Sequence, residues 1–212
     1  MIIDQVYKQR FAGTEIRQEM WDILVSDFFQ KYVDKNDTVL DVPCGYGEFI
    51  NKISCSKKYA VDINPDARKR VNKDVTFLLS SSTKMPLAKN SIDKIFVSNF
   101  FEHLTRSDIE KTIREFKRVL KPGGQVLVLQ PNIRFAYKNY WMFFDHITAI
   151  DDRALEEIFN IIGLRPTEKI LRFLPFTTHS RLPNKSVFVR LYLRLPFVWR
   201  ILGKQSFLVF SK

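Results

Sequence analysis

The stretch Val39–Ile50, VLDVPCGYGEFI, most constrains what this chain can fold into. Thr38, Val39, Leu40 and Val42 are β-branched or aliphatic, the pattern of a buried strand. The run breaks at Pro43-Cys44-Gly45-Tyr46-Gly47, and Glu48, Phe49, Ile50 and Ile53 follow at the spacing of a helix's inner face. A strand, a glycine turn and a helix make a corner that can hold a nucleoside or a phosphate. Glycine lets a ligand approach the backbone, and a helix N-terminus presents unpaired N–H groups. Two glycines alone suit an ordinary strand-to-helix turn equally well.

The next strand narrows the choice. Lys58–Ile63, KYAVDI, ends in Asp62, with Pro65 just beyond. An acid at the tip of the second strand of an open α/β sheet can accept from both hydroxyls of a ribose. The dinucleotide pattern G-x-G-x-x-G would need its third glycine where Ile50 stands, which favours a ligand without a pyrophosphate. Further strands are predicted over Val75–Leu79, Ile92–Ser98, Gln125–Leu129, Leu164–Leu174 and Gln205–Phe210. Helices are predicted over Arg106–Leu120, capped by Thr105 or Ser107, and over Asp151–Ile162, closed by Gly163. Ahead of the first strand, Ile16, Met20, Ile23, Leu24, Phe28 and Tyr32 form one apolar stripe. They predict a lead-in helix over 14–34, with Thr14 as its cap.

Four segments, DVPCGYG, VDINPD, SIDKIFVSNFFEHL and REFKRVLKPGGQVLVLQPN, stand in an order and spacing that resembles the class I S-adenosylmethionine-dependent methyltransferases. The resemblance runs from about Val39 to Asn132 and continues more weakly to Lys212. It implies an α/β fold: a doubly wound, Rossmann-like, seven-stranded and mostly parallel sheet with helices on both faces and an antiparallel edge strand, in one domain over 1–212. It implies S-adenosyl-L-methionine as cofactor, held by Asp41, Pro43, Gly45, Gly47, Asp62, Ile63, Ser81, Ser82, Ser98 and Asn99. At the loop, Pro43 replaces the family's usual first glycine, so one N–H donor is absent. Ser81 stands where the family often has an acid for the adenine amino group; serine accepts a hydrogen bond without charge.

The acceptor side is expected after the fifth strand, in IRFAYKNYWMFFDHITAI, where aromatics could wall a sugar, a ring or a lipid-linked group or simply pack in the core. A hydroxyl acceptor benefits from a base. His146 is the first candidate, because Asp145 beside it can orient the imidazole, and His103 at the end of the fourth strand is the second. The Glu102-His103 pair is common among family members of differing chemistry, which favours scaffolding. The segment DHITAIDDRALEEIFNIIGL and the basic tail are similar to methyltransferases found with bacterial surface-glycan biosynthesis genes. That implies O-methylation of a sugar or small molecule in glycan biosynthesis. A quinone-precursor or RNA methyltransferase and a catalytically inactive cofactor-binding module are the alternatives.

Composition bounds partners and compartment. The 212 residues carry a formal net charge of +11, which asks for an anionic partner. The basic residues are scattered, without a separate RNA-binding module, so nucleic acid is not the expected partner. The basic, apolar insertion 175–204, with Arg190, Arg194, Arg200 and Lys204 among Phe, Leu and Trp, suits an anionic membrane surface, and a core-packed or homodimer-forming hairpin suits it equally. Cys44 and Cys55 show no metal-ligand spacing and no metal site is expected; with no signal-like N-terminus, the expectation is a cytoplasmic protein peripheral to the inner face of the membrane.

Overall fold

The computed structural model describes residues 14–176 and 186–212, with the side chains of Thr14, Glu15, Ile16 and Ser186 outside that description. Residues 177–185 of the predicted insertion, and the side chains of the predicted cap Thr14 and the stripe residue Ile16, therefore lie outside the described residues.

Seven strands form one sheet: β1 Thr38–Asp41, β2 Lys57–Asp62, β3 Val75–Leu79, β4 Ile92–Ser98, β5 Leu120–Pro131, β6 Arg165–Ile170 and β7 Gln205–Ser211. Their order is β3-β2-β1-β4-β5-β7-β6. Strands β1 to β5 pair in parallel, and β7 runs antiparallel to both β5 and β6. The antiparallel strand is thus not the edge strand that the sequence predicts. Strand β7 buries six successive residues, Gln205–Phe210, and belongs inside the sheet. Strand β6, RPTEKI, alternates exposed and half-buried side chains and takes the edge, where its charges discourage further pairing.

The pleat sorts the core into two layers. Val39, Phe96, Leu127, Leu129 and Phe207 face one layer with Phe49, and helix α1 (Thr14–Asp27) covers it with Trp21, Leu24 and Val25. Leu40, Ile95, Val97, Val126, Val128 and Phe210 face the other. There α2 (Arg106–Val119) and α4 (Asp152–Ile162) cover them with Ile109, Ile113, Phe116, Leu155 and Phe159. Ring pairs Phe49–Phe96 and Phe159–Phe210 stack at 3.8 and 3.9 Å between centroids, one in each layer. Caps fall as predicted: Asp108 N–H donates to Thr105 Oγ1 at 3.2 Å, and Ala154 N–H to Asp151 Oδ1 at 2.9 Å. Gly163 ends α4 at φ 89°.

Two predicted helices differ. The lead-in helix stops at Asp27 and continues only as a 3-10 turn, Phe29–Tyr32, because Phe28 and Phe29 both turn inward. No helix follows the glycine loop; 48–52 is a run of turns closed by Asn51 N–H to the Gly47 carbonyl and Ile53 N–H to the Phe49 carbonyl. Beyond β5 come only a short α3 (Ile133–Ala136) and a 3-10 turn at Tyr140–Met142. The basic insertion forms α5 (Ser186–Leu193) and α6 (Pro196–Leu202), with Pro196 opening the second helix. Among the described residues, no helix is long and apolar enough to cross a membrane.

Candidate active site

A cavity of about 500 Å³ opens at the carboxyl ends of β1, β4 and β5, the crevice side of an open α/β sheet. Towards β1 and β2 it is lined by Asp41, Pro43, Cys44, Gly45, Tyr46 and Glu48; towards β4 and β5 by Ser98, Asn99, Glu102, His103, Phe143, His146 and Phe176. Trp21 and Leu24 of α1 and Phe188, Leu191 and Tyr192 of α5 supply an apolar wall that limits water.

The glycine loop differs from an anion cradle. Its Val42–Pro43 peptide is cis. Cys44 N–H donates to the Val61 carbonyl, Gly45 N–H to Asp62 Oδ2 at 2.9 Å and Gly47 N–H to the Cys44 carbonyl at 2.7 Å, so these donors are spent inside the protein. Gly45 and Gly47 have φ 49° and 70°, the left-handed region that favours glycine. A Cβ on Gly45 would meet nothing within 4 Å, which leaves room for a ligand against the backbone; one on Gly47 would lie 2.8 Å from Asn51 Nδ2.

Acidic side chains gather here instead. Asp41 is buried, and burial first, then the charge of Glu48, pushes its carboxyl well above the usual range, against the pull of the Ile50 N–H. Glu48 pairs with Arg17 of α1, whose Nη2 lies 3.2 Å from Oε2. A buried carboxylate beside a second acid is stabilised by a cationic ligand and disfavours a phosphate.

Asp62 caps β2 as predicted, but turns its carboxylate back on the protein, accepting from Gly45 N–H and, at 2.8 Å, from Asn64 N–H. Burial raises its carboxyl, and these backbone donors oppose the rise. Asp62, Ile63, Ser81 and Ser82 do not line the cavity. Ile63 is exposed, the Ser81 hydroxyl bonds that of Thr83, and the buried Ser82 hydroxyl bonds Thr112 of α2 at 2.8 Å, which turns it into the helix packing. Asn99, with φ 48°, bends the chain out of β4 and returns its N–H to the Leu129 carbonyl.

At the other side the two histidines meet. Their ring centroids are 5.0 Å apart. Glu102 Oε1 stands 3.8 Å from His103 Nε2 and 3.9 Å from His146 Nε2. The Glu102 backbone carbonyl accepts from Ile147 and Thr148 N–H, which docks the loop carrying His146 on the end of β4. Tyr140, Phe143 and Phe176 surround the His146 ring at 5.0, 5.1 and 6.2 Å. Asp145 stands against His103. His103 Nδ1 lies 2.9 Å from the Asp145 carbonyl and 3.4 Å from its Oδ2. A carbonyl only accepts, so Nδ1 carries the hydrogen and the Nε2 lone pair of neutral His103 faces Glu102.

Gln130 is the residue that sequence reasoning missed. It is buried in β5 and donates to Glu102 Oε2 at 2.7 Å while its own carbonyl accepts from Phe101 N–H. A glutamine inside the apolar run VLVLQP is the signal that could have found it. Burial raises the Glu102 carboxyl above its ordinary range.

Residues 40–128 match the family model of a methyltransferase domain. Over 98% of the chain the structure superposes on a SAM-dependent methyltransferase from Archaeoglobus fulgidus, covering 99% of it, with a TM-score of 0.70 at 17% identity. The fold is the class I methyltransferase fold. In sequence the chain is similar to the ubiquinone/menaquinone biosynthesis C-methyltransferase UbiE of Klebsiella pneumoniae. It is 31% identical over 164 residues, which cover 66% of this chain and 64% of that protein. It is also similar to a demethylmenaquinone methyltransferase of Corynebacterium urealyticum, 26% identical over 139 residues, 61% of this chain and 55% of that one. The chain thus spans less than two thirds of the length of these curated relatives. Residues 40–128 are thus similar to a methyltransferase domain, and the superposed Archaeoglobus fulgidus protein is a methyltransferase dependent on S-adenosylmethionine. The residues present fit that cofactor: the acids Asp41 and Glu48 suit its sulfonium and ammonium charges, and the open space at Gly45 suits its nucleoside.

Proposed function

We propose that the chain is an S-adenosylmethionine-dependent methyltransferase that methylates a hydroxyl of a sugar or similar small molecule. The supporting observation is one cavity with carboxylates at the glycine loop and a Glu–His–His cluster at the other side. Asp41 and Glu48, which line the cavity, hold the positive charge of the cofactor, and Asp62 fixes the loop through Gly45 from behind the lining while serving as the proposed ribose acceptor. The cofactor supplies a methyl group on a sulfonium, an electrophile that needs chiefly an aligned nucleophile and exclusion of water. Trp21, Leu24, Phe188 and Tyr192 exclude water from that space. His103 Nε2 takes the hydroxyl proton, with Nδ1–H held by the Asp145 carbonyl, and His146 is the second candidate. Phe143 and Phe176 offer ring faces to a sugar or a quinone precursor.

Methylation at carbon of a quinone precursor is the second reading, favoured by the similarity to UbiE. Calorimetry with S-adenosylmethionine is the first test, since an inactive module with a weakened site would bind poorly. A transfer screen over sugar nucleotides, lipid-linked glycans, quinone precursors and RNA then decides the acceptor. Turnover of quinone precursors alone would transfer the assignment to the second reading.

A further inference from the structure

We propose that Glu102, His103 and His146 bind a divalent first-row transition metal ion at the floor of the cavity. The sequence offers no hint of it, because the two histidines are separated by 43 positions and the cysteines have no part in the cluster.

The donor set is two imidazoles and one carboxylate, with one ligand atom from each lying within 4.8 Å of the others. That composition leaves coordination positions open and suits Zn²⁺, Mn²⁺, Fe²⁺ or Co²⁺. Two ligands bonded at about 2.1 Å to a tetrahedral ion stand roughly 3.4 Å apart, so the 3.8 and 3.9 Å from Glu102 Oε1 to the two Nε2 atoms need only a small contraction. The tautomer is already set. With Nδ1–H of His103 on the Asp145 carbonyl, its Nε2 lone pair and Glu102 Oε1 face each other as two acceptors. Two acceptors turned together ask for a cation between them. Among the described residues, Glu102 has no lysine or arginine ion pair, although its side chain is only 1% exposed.

The supporting shell is that of a built site. Gln130 holds Glu102 Oε2 and leaves Oε1 to the imidazoles, while the Asp145 carbonyl orients His103. Such partners fix ligand orientation at metal centres. Glu102, His103 and His146 all line the cavity, so the open positions of the ion would face the acceptor. On the proposed hydroxyl methylation, the ion would hold the acceptor oxygen and lower its pKa. The imidazoles would then act as ligands, and the hydroxyl proton would leave to water. This role rests on the proposed function; the binding rests on the cluster alone.

The test uses the full chain after chelator treatment. Co²⁺ and Mn²⁺ are titrated by calorimetry, with Co²⁺ absorption and Mn²⁺ electron paramagnetic resonance as readouts, and S-adenosylmethionine is titrated separately into metal-free protein. One ion per chain is expected, with visible Co²⁺ bands of nitrogen–oxygen ligation and a raised melting temperature. His103→Ala, His146→Ala and Glu102→Gln should each weaken it at least about tenfold. Glu102→Gln keeps the shape and guards against a variant that simply fails to fold. No binding by well-folded protein, or binding that all three variants retain, would overturn the site and leave only a proton between the acceptors. Failure of the cofactor titration with metal binding intact would instead count against the methyltransferase reading alone.

Discussion

Replacing Asp62 separates the loop contact that the structure shows from the ribose contact proposed for it. A carboxylate whose sole task is the ribose could be removed without changing the stability of the free protein. Asp62, 7% exposed, also accepts from Gly45 N–H at 2.9 Å and Asn64 N–H at 2.8 Å. Hydrogen bonds to a charged acceptor contribute about 1.5–3 kcal/mol each, and their loss strands two N–H groups in a poorly hydrated corner. Asp62→Ala should therefore cost about 3 kcal/mol or more. For a chain of this length that is a fall in melting temperature of roughly 6–12 °C. Affinity for S-adenosylmethionine should fall at least tenfold, equivalent to about 1.4 kcal/mol, because the ribose partner and the anchor of Gly45 are lost together. Asp62→Asn keeps one carbonyl acceptor and should fall between the two in melting temperature. Scanning calorimetry gives the first quantity, and titration well below the variant's transition gives the second. An alanine variant that melts within about 1 °C of wild type would refute the loop anchor. A destabilised variant with unchanged affinity would place the ribose elsewhere.

Other outcomes test the same corner and the outer surface. Burial raises the Asp41 carboxyl, so its native form binds a proton more tightly than its unfolded form. Its contribution to stability is present below the usual carboxylate range and is lost as pH rises through the raised value. Asp41→Asn should therefore melt above wild type at pH 8, by a margin that shrinks towards acid, while binding S-adenosylmethionine more weakly; a margin independent of pH would refute this. Gly47→Ala should lower the melting temperature more than Gly45→Ala, since only the first Cβ meets a neighbour, at 2.8 Å, whereas Gly45→Ala should chiefly reduce cofactor affinity. If both variants lose stability equally, the space at Gly45 is not real. The proposed membrane contact of 175–204 predicts co-sedimentation with anionic but not neutral vesicles, weakened by salt and by Arg194→Glu with Arg200→Glu, since Val187, Phe197 and Ile201 stand exposed beside these bases. Arg190 is the poorer choice because it pairs with Asp27 of α1 at 3.2 Å, and wild type that ignores anionic vesicles at low salt would end the idea.

The strands were legible because apolar and β-branched runs are bounded sharply by turn residues. β3 and β4 occupy Val75–Leu79 and Ile92–Ser98, the residues that the pattern predicts. The helix after the glycine loop was not, because periodicity counts apolar positions and is blind to competing side-chain bonds. Asn51 spends its side chain on the Arg70 carbonyl and Asn72 N–H, and the Gln30 side chain binds the Ser54 backbone on both its N–H and its carbonyl. These bonds tie the segment to its neighbours within two turns, and Ser54, Cys55 and Ser56 give a helix little reason to continue. The inner place of the antiparallel strand was legible too: QSFLVF carries no charge, which suits an inner strand, while RPTEKI carries the charges of an edge.

The site divides along the same line. Residues fixed by a strand end, such as Asp41, Asp62 and Asn99, can be placed from sequence because the sheet delivers every carboxyl end to one crevice. Where their side chains turn is decided by contacts that sequence does not order, so Asp62 faces Gly45 and Ser82 faces Thr112. Adjacency in the chain was the least reliable guide. Asp145 and His146 are neighbours, yet the turn that gives Ile147 and Thr148 to the Glu102 carbonyl directs Asp145 to His103 and His146 into the aromatic cage. A carboxylate acts on the imidazole it can reach through space, and here that imidazole lies 42 positions earlier in the chain.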